Sequence, residues 1–431
     1  MSLLRLLGIF KNEAGNIRRT LDSARAYVDD WCILDTGSTD GTQAIVREAT
    51  EGTPGKLYEE PFVDFATSRN RVLELGRVAV EYVSAAPEFT LMLSGDETLV
   101  GGDKLREFLQ AHRGSDDGAY AVWVVEKLKG GNEQRVPQCR ILRTAAGWRY
   151  VGDPHEIPEG PDKERFAPVI PGVEVVFAES DLAKKRKRMR EYDLPRLRAR
   201  VSNRQAQSGE LTQAWWFLAQ TYESLAGEFP RDSLDWVEHA LCAMTYYNQC
   251  AIAFGPEIQE CEKLLAKEPD EKRAVGLERM KAHASAALLS RLRIADALGF
   301  LYSAEELAER AQMAVALNPR APEARYFLAL QARIVDVRQG LLFAEEGAEI
   351  ARQAREAFAA GDASFYLSLD SRMEWLCWGI AASCADTIAS ADSEPPGKRR
   401  SYARKARELA EKAVAAGGPR EIFVKLLEIQ V

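Results

Sequence analysis

Residues 1–180 alternate between short apolar runs and stretches that have the apolar spacing of a helix. Seven runs predict strands: Leu3–Ile9, Trp31–Leu34, Lys56–Glu59, Phe89–Leu93, Ala119–Val125, Arg140–Arg143 and Val173–Phe177. The clearest amphipathic stretches between them predict helices at Asn16–Tyr27, Gln43–Glu48 and Ala66–Val83. Alternation of this kind is typical of an α/β domain, in which helices cover a largely parallel sheet.

Short polar segments directly follow two of the predicted strands. The segment Asp35–Gly41 (DTGSTDG) comes after Trp31–Leu34, and Ser94–Glu97 (SGDE) comes after Phe89–Leu93. In open α/β sheets, ligands bind at the carboxyl ends of the strands. We therefore expect the functional site to be built around these two segments.

The chain changes character after Phe177. The run Lys184–Arg190 has six basic residues in seven positions, and beyond it nearly every segment has helical spacing. One helix matches the first helix of a tetratricopeptide repeat at Trp215, Leu218, Ala219 and Tyr222. We predict three parts: an α/β domain (1–180), a basic linker or helix (181–203), and a helical, degenerate tetratricopeptide-like domain (204–431).

Composition excludes several classes of protein. Hydrophobic residues at 46% and charged residues at 28% indicate a globular chain. No apolar run is long enough for a transmembrane helix, and the opening residues lack a signal-peptide cleavage site. A net charge of -8 argues against a protein that coats nucleic acid. The seven cysteines have no CxxC spacing, so we expect neither a zinc cage nor disulfides, and a cytoplasmic location fits best.

Four segments carry the remaining chemistry, since the sequence has no GxSxG, HExxH, Walker or GxGxxG motif. They are Lys11–Glu13 (KNE), Asp35–Thr42 (DTGSTDGT), Phe62–Asn70 and Ser94–Glu97. Together they resemble the GT-A glycosyltransferases of family 2, in particular members fused to a helical repeat domain. The resemblance extends to about residue 180. It implies a Rossmann-like GT-A α/β domain followed by an all-α, repeat-like domain.

The same resemblance implies a hexosyltransferase that moves a sugar from a nucleotide-sugar, chiefly a UDP-sugar, to an acceptor hydroxyl, by default with inversion. Asp35 would grip the base or ribose, although an Asx-turn is the simpler explanation of this residue. Arg69 would reach the nucleotide, and its alternative role is a surface ion pair. The implied nucleotide-sugar site comprises Lys11, Glu13, Asp35, Arg69, Asn70 and Ser94.

A divalent cation is also implied, because the leaving diphosphate must be neutralised and a bound metal ion does this as a Lewis acid. Asp96 corresponds to the second Asp of the family's Asp-x-Asp metal motif, whereas the first is Ser94 here. Related members supply a further ligand from a Gly-x-x-His-Glu segment, which corresponds to His155. An oxygen-rich site that retains water suits Mn²⁺ or Mg²⁺.

An inverting transfer needs a general base opposite the departing diphosphate. Glu156 and Asp153 are the nearest candidates beside His155, and Glu97 is a third. The sequence does not decide among these three carboxylates.

The acceptor is not identified by the sequence. A protein or small molecule bound by the helical domain is our preferred expectation, and that domain could instead mediate self-association. A hydroxylated nucleic-acid base is an alternative, with Lys184–Arg190 contacting phosphates. A non-catalytic interaction scaffold is a further alternative, in which the α/β domain has lost its activity.

Overall fold

A computed structural model describes residues 2–78, 86–127, 133–161, 167–178, 182–203, 208–231, 233–299, 301–359, 369–370 and 372–428. The chain forms two compact units: the first comprises residues 1–196 together with the described residues 357–359, and the second comprises the remaining described residues from 197 onward. The first unit is α/β and the second is helical, which confirms the predicted fold classes.

The first unit contains, in chain order, the following elements: β1 (Leu4–Phe10), α1 (Ile17–Arg25), β2 (Asp30–Asp35), α2 (Thr42–Ala49), β3 (Gly55–Glu59), α3 (Phe65–Arg77), β4 (Phe89–Ser94), β5 (Glu97–Val100), α4 (Gly102–Ala111), β6 (Ala119–Lys127), β7 (Glu133–Arg143), β8 (Arg149–Val151), β9 (Ile157–Glu159), β10 (Val169–Phe177), α5 (Leu182–Arg188) and the first turn of α6 (Leu194–Ser202). A π-helical turn, Met189–Asp193, joins α5 to α6. The predicted end of the third helix, at Val83, lies outside the described residues.

Eight strands of the first unit lie in one mixed sheet in the order β3-β2-β1-β4-β7-β6-β10-β5. The first four run parallel, and β7 runs antiparallel to both of its neighbours. In the register of the sheet, Phe10 lies beside Asp35 and Ile9 lies beside Ser94. The carboxyl ends of β2 and β4 therefore flank that of β1 at one edge of the sheet. This is the Rossmann-like arrangement of the GT-A type that the resemblance predicts.

Both faces of the sheet are buried, and the alternation of side chains along the strands explains how. Leu6 and Ile33 point into a core that includes residues of α1, α2 and α4. Their neighbours Leu7 and Leu34 belong to a second core, on the other face, that includes residues of α3. Because successive strand residues face opposite sides of a sheet, a continuous apolar run is what a strand covered on both faces requires.

The described part of the second unit consists of helices and one two-residue strand: α7 (Ser208–Ala226), α8 (Leu234–Lys267), α9 (Glu271–Leu298), α10 (Ala304–Leu317), α11 (Pro322–Val335), α12 (Val337–Ala359), β11 (Leu369–Asp370), α13 (Met373–Ser390), α14 (Pro396–Ala415) and α15 (Val424–Leu427). From α7 to α11, each helix packs against the next one along the chain. Among the helices that the structure describes, none combines the length and the apolarity that crossing a membrane requires.

The lengths of these helices make the stacking irregular. The pair α10 and α11 has 14 residues in each helix, and a capping box at Ser303 and Glu306 begins the first of them. In contrast, α8 has 34 residues and α9 has 28. On α7, the motif residues Leu218, Ala219 and Tyr222 are buried, so the repeat-like pattern marks the face of this helix that packs in the core.

Candidate functional site

The loops that follow β1 and β2 are tied together by hydrogen bonds. The backbone N–H of Asn12 donates to Ser38 Oγ (2.9 Å), and that of Glu13 donates to Thr42 Oγ1 (2.9 Å). The side-chain oxygen of Asn12 in turn accepts from the N–H of Thr39 (2.8 Å). Asn12 has a left-handed backbone (φ 56°), which asparagine adopts more readily than most residues. The two predicted segments thus form one wall at the end of the sheet.

Asp35 ends β2 and is almost fully buried. Its Oδ1 atom accepts hydrogen bonds from the N–H groups of Gly37 (3.0 Å) and Ser38 (2.8 Å) and from the side chain of Gln43 (3.1 Å). Its Oδ2 atom is buried without a hydrogen-bond partner among the described residues. The Asx-turn and the binding of a ligand therefore do not exclude each other, because the turn uses only one oxygen.

Arg69 lies on α3, whose first turn is capped by Asp64. The buried guanidinium donates from Nε to Glu156 Oε1 (2.5 Å), and its Nη2 atom is 3.4 Å from Ser94 Oγ. Burial alone would lower the pKa of Arg69, but the facing Glu156 carboxylate raises it, so the guanidinium remains charged. The pair is an interior ion pair rather than a surface one, and it joins α3, the end of β4 and the segment after β8. Like Asp35, Arg69 keeps one buried polar atom, Nη1, without a partner among the described residues.

Asn70, the next residue on α3, holds the backbone of Tyr150 in β8. Its Nδ2 donates to the carbonyl oxygen of Tyr150 (2.8 Å), and its Oδ1 accepts from the N–H of the same residue (2.7 Å). Both ends of the amide are therefore occupied. A direct contact between Asn70 and a nucleotide stays a prediction, whereas its attachment of β8 to α3 is a feature of the fold.

The turn between β4 and β5 carries Asp96, and the buried side chain of Glu97 holds the backbone of this turn. Glu97 is fully buried; one oxygen pairs with Arg140, and the other accepts from the N–H of Ser94 (2.7 Å). A Cβ atom at Gly95 would come within 2.6 Å of Glu13 Cγ, so this turn passes too close to Glu13 for a larger residue. The side chain of Asp96 is half-exposed. Of the three candidate bases, Glu97 is therefore the least suited to accept a proton from an acceptor, because both of its oxygens already have partners in the protein interior.

The strands β8 and β9 form a hairpin whose loop, 152–156, contains Asp153, His155 and Glu156. Asp153 accepts from the hydroxyl of Tyr192 (2.6 Å) and from Arg196 Nε (2.9 Å). Burial and the hydrogen bond to Asp153 raise the pKa of Tyr192, so its hydroxyl is a donor at neutral pH. Sequence reasoning missed Tyr192 and Arg196, because nothing in their spacing signals contact with the distant hairpin.

A cluster of aromatic rings lies at the start of α3. The ring centroids of Phe62, Phe65 and Tyr192 are 5.1–6.0 Å apart. The exposed Lys11, which follows β1, has its ammonium group 5.9 Å from the centroid of Phe62. Lys11 is thus near the end of β1 but has no contact with Asp35 or Arg69 among those that the structure shows.

The basic run is partly used inside the first unit. Lys185 pairs with Glu126 (2.9 Å), and Arg188 lies 3.4 Å from the buried carboxylate of Asp193. The side chain of Lys184 lies outside the described residues. These ion pairs reduce the positive charge that the run could offer to a phosphate backbone.

The predicted metal ligands, Asp96 and His155, lie on segments that Arg69 connects. Asp96 is two residues beyond Ser94, and His155 is next to Glu156, and both side chains are half-exposed. A carboxylate suits Mn²⁺ or Mg²⁺, water and substrate phosphates would complete the coordination, and the imidazole fits the softer Mn²⁺ better than Mg²⁺. Over the described ranges, no group of three or more His, Cys, Asp or Glu side chains is arranged to hold an ion.

Two comparisons with known proteins agree with this architecture. Residues 9–154 match the model of a family described as "Glycosyl transferase family 2". Over 159 residues, the chain is 33% identical to a TPR repeat-containing protein from Synechococcus elongatus, and the alignment covers 36% of each protein. The chain thus spans about a third of the curated relative that it matches. The family match begins in β1 and ends inside the hairpin loop, one residue before His155.

Proposed function

Because residues 9–154 match the model of glycosyl transferase family 2, we propose that this protein transfers a sugar from a nucleotide-sugar, chiefly a UDP-sugar, to an acceptor hydroxyl with the help of a divalent metal. One observation carries the proposal. Asp35 Oδ2, at the end of β2, and Arg69 Nη1, on α3 near the end of β4, are buried polar atoms, and neither has a partner among the described residues. Buried polar groups nearly always have partners, so an anionic ligand with hydroxyl or imide donors is a natural complement.

The sheet sets the spacing of the donor site. Because β1 lies between β2 and β4, Asp35 and Ser94 are about two strand spacings apart, which is roughly 10 Å. We assign Asp35 to the base or ribose of the donor, and Arg69 to a further contact with the nucleotide. Ser94 would bind a ribose hydroxyl. Lys11, which is exposed, and Glu13, beside Gly95, would complete the rim of this site.

Asp96 and His155 would hold Mn²⁺ or Mg²⁺, which when bound neutralises the charge of the departing diphosphate. The residues fit this group because a carboxylate and an imidazole offer two ligands of the appropriate type on connected segments. Ser94 in place of the motif's first Asp removes one negative charge, so more of the coordination falls to Asp96.

Glu156 is the best candidate for the general base of an inverting transfer. Asp153 has both oxygens engaged by Tyr192 and Arg196, and Glu97 is fully buried. In Glu156 the contact to Arg69 uses Oε1, which leaves Oε2 to accept a proton from an acceptor hydroxyl. We therefore assign Glu156 to the proton transfer and Asp153 to holding the loop.

The helical unit would bind the acceptor, since stacked helices offer extended surfaces for recognition. Self-association through this unit is a second role that we propose for it. A cytoplasmic location is part of the proposal.

The first prediction tests the activity directly. Purified protein should release UDP slowly from one of a panel of UDP-sugars, with Mn²⁺ or Mg²⁺ present, and a chelator should abolish the release. We expect Asp96→Ala to lower the rate by on the order of 100-fold, and His155→Ala to lower it less, since water can replace one ligand. Asp22→Asn, an exposed change on α1, serves as the control. Wild-type rates in Asp96→Ala would show that the metal assignment is wrong.

A further inference from the structure

We infer that Tyr192 and Arg196 are positioning residues of the transfer reaction, which hold the loop 152–156 through Asp153 and thereby orient His155 and Glu156. The inference rests on the proposed function. It also extends the site beyond the family match, which ends at residue 154, into the π-helical turn and the start of α6.

The contact itself is a carboxylate held by two different donors. The Tyr192 hydroxyl lies 2.6 Å from Asp153 Oδ1, and Arg196 Nε lies 2.9 Å from Asp153 Oδ2. The Arg196 guanidinium also lies 3.7 Å from the centroid of the Tyr192 ring, so the two donors support each other. Hydrogen bonds to a charged group are shorter and stronger than neutral ones, and two of them fix both the position and the rotation of a carboxylate.

The backbone of the loop shows why such a hold is needed. His155 has φ 63° and Gly152 has φ 91°, both in the left-handed region. Glycine adopts this conformation readily, but a histidine does so only where the surrounding structure holds it. Asp153 anchors one side of His155, and Glu156, bound to Arg69, anchors the other. Loss of the Asp153 anchor would therefore release a strained residue that carries a predicted metal ligand.

The hydroxyl of Tyr192 can be separated from the packing of its ring. The ring contacts Phe62 and Phe65, with centroid distances of 6.0 and 5.4 Å, and this packing attaches the turn to α3. Tyr192→Phe keeps the ring and removes only the donor to Asp153. Arg196→Lys likewise keeps the positive charge but loses the planar guanidinium. If Tyr192 and Arg196 only packed against their neighbours, both variants would keep the donor turnover and the His155 signal of the wild type.

The test uses the full chain and two readouts. The first is donor turnover, measured as UDP release at saturating metal. Tyr192→Phe and Arg196→Lys should lower kcat by about 10- to 100-fold, the range typical for residues that orient a metal ligand. The donor KM should stay within about twofold, because Asp35 and Arg69 are not altered. The control is Tyr27→Phe, which removes a tyrosine hydroxyl before β2, at the opposite ends of the strands.

The second readout does not depend on activity. The chain has only four histidines, at positions 112, 155, 239 and 283, so histidine-labelled protein gives four assignable ring signals by NMR. Tyr192→Phe and Arg196→Lys should shift the His155 signal and leave the other three in place. An unmoved His155 signal, or equal shifts at all four, would overturn the inference. If His155 shifts selectively but the wild type turns over no nucleotide-sugar, the positioning stands and the proposed function fails.

Discussion

At Asp35, the two oxygens of one carboxylate have different surroundings. Oδ1 closes the turn, whereas Oδ2 is buried without a partner among the described residues. Glu97 and Asp153 differ from Asp35 in that donors occupy both of their oxygens. The occupancy of each oxygen thus distinguishes an acid that can bind a ligand from an acid that holds the fold.

The second prediction follows from this asymmetry. In Asp35→Asn, the amide oxygen can still accept from Gly37 and Ser38, but the amide nitrogen replaces the acceptor Oδ2. A hydrogen bond to a charged group contributes about 1.5–3 kcal/mol, so UDP affinity should fall by roughly 10- to 150-fold. Titration calorimetry with UDP measures this change, and Asp22→Asn is the control. An unaltered Kd in a variant with a wild-type circular dichroism spectrum would remove Asp35 from the nucleotide site.

At the scale of elements, buried ion pairs connect one strand to another. Arg5 and Asp30 are both fully buried and join β1 to β2, and Arg140 and Glu97 join β7 to β5. Removing one member of such a pair leaves an uncompensated charge in the interior, which typically costs about 3–5 kcal/mol. Substitutions of Glu97 would therefore act on stability as well as on the turn that carries Asp96.

The helical unit contains a histidine, His283, that packs among aromatic rings while its side chain remains exposed to solvent. His283 on α9 packs between Trp216 of α7 and Phe254 of α8, with ring centroids 6.3 Å away in both cases. Desolvation by these rings, and to a smaller extent Arg279, lowers the pKa of His283 from 6.5 to about 4, although part of the side chain remains in contact with solvent. Because the folded pKa is the lower one, the native state disfavours the proton. The stability that this group contributes is complete above pH 6.5 and is lost as the pH falls toward 4.

The third prediction puts a magnitude on that loss. Because the side chain of His283 is exposed to solvent, which screens the imidazolium charge, we expect the loss to be small, on the order of 1 kcal/mol or less. Thermal melts of the full chain, followed by circular dichroism between pH 7 and pH 4, should show a smaller decrease in Tm for His283→Phe than for the wild type. His239→Gln, on the neighbouring helix α8, is the matched control. Parallel decreases in all three proteins would mean that other groups govern the acid sensitivity.

At the scale of the whole molecule, the boundary between the units defines what a separate catalytic fragment must contain. A fragment of residues 1–180 would lack Tyr192 and Arg196, whereas one of residues 1–203 includes both and all of α6. As the fourth prediction, we expect the longer fragment to bind UDP and hydrolyse the donor but to lose transfer to the natural acceptor. The shorter fragment should lose donor turnover by about 10-fold or more.

Circular dichroism must first show that each fragment is folded, and UDP binding and UDP release are then compared with those of the full chain. Full transfer activity in the longer fragment would remove the helical unit from acceptor recognition. Equal turnover in the two fragments would contradict the role of the segment after residue 180.

The fifth prediction concerns nucleic acid as an acceptor. Lys185 and Arg188 already have carboxylate neighbours, and the chain carries a net charge of -8. We therefore expect weak binding to duplex DNA with a shallow dependence on salt. By the rule of about -0.9 per neutralised phosphate, three contacts would give a slope of about -2.7. Filter binding across a salt series measures the slope. A steep slope that is flattened by alanine at Lys184, Lys185 and Arg186 would instead favour a nucleic-acid acceptor.

The fold class and the approximate position of the site follow from the sequence alone. The seven predicted strands all correspond to strands of the structure, because alternation and apolar runs are properties of neighbouring residues. The short strands β5, β8 and β9 were not predicted, since three or four residues carry too little pattern. The segments after β1, β2 and β4 also follow from local sequence, and parallel strands bring their carboxyl ends to one edge.

The role of each side chain at this edge of the sheet, in contrast, depends on tertiary contacts. Asn70 and Glu97 resemble ligand-binding residues in the sequence, yet in the fold their polar atoms are occupied by Tyr150, Ser94 and Arg140. Conversely, Tyr192 carries no motif and contacts the site only because the chain returns to the hairpin after α5. Local spacing determines helices, strands and strand ends. Burial and the satisfaction of hydrogen bonds depend on partners distant in the chain, and only folding brings these partners together.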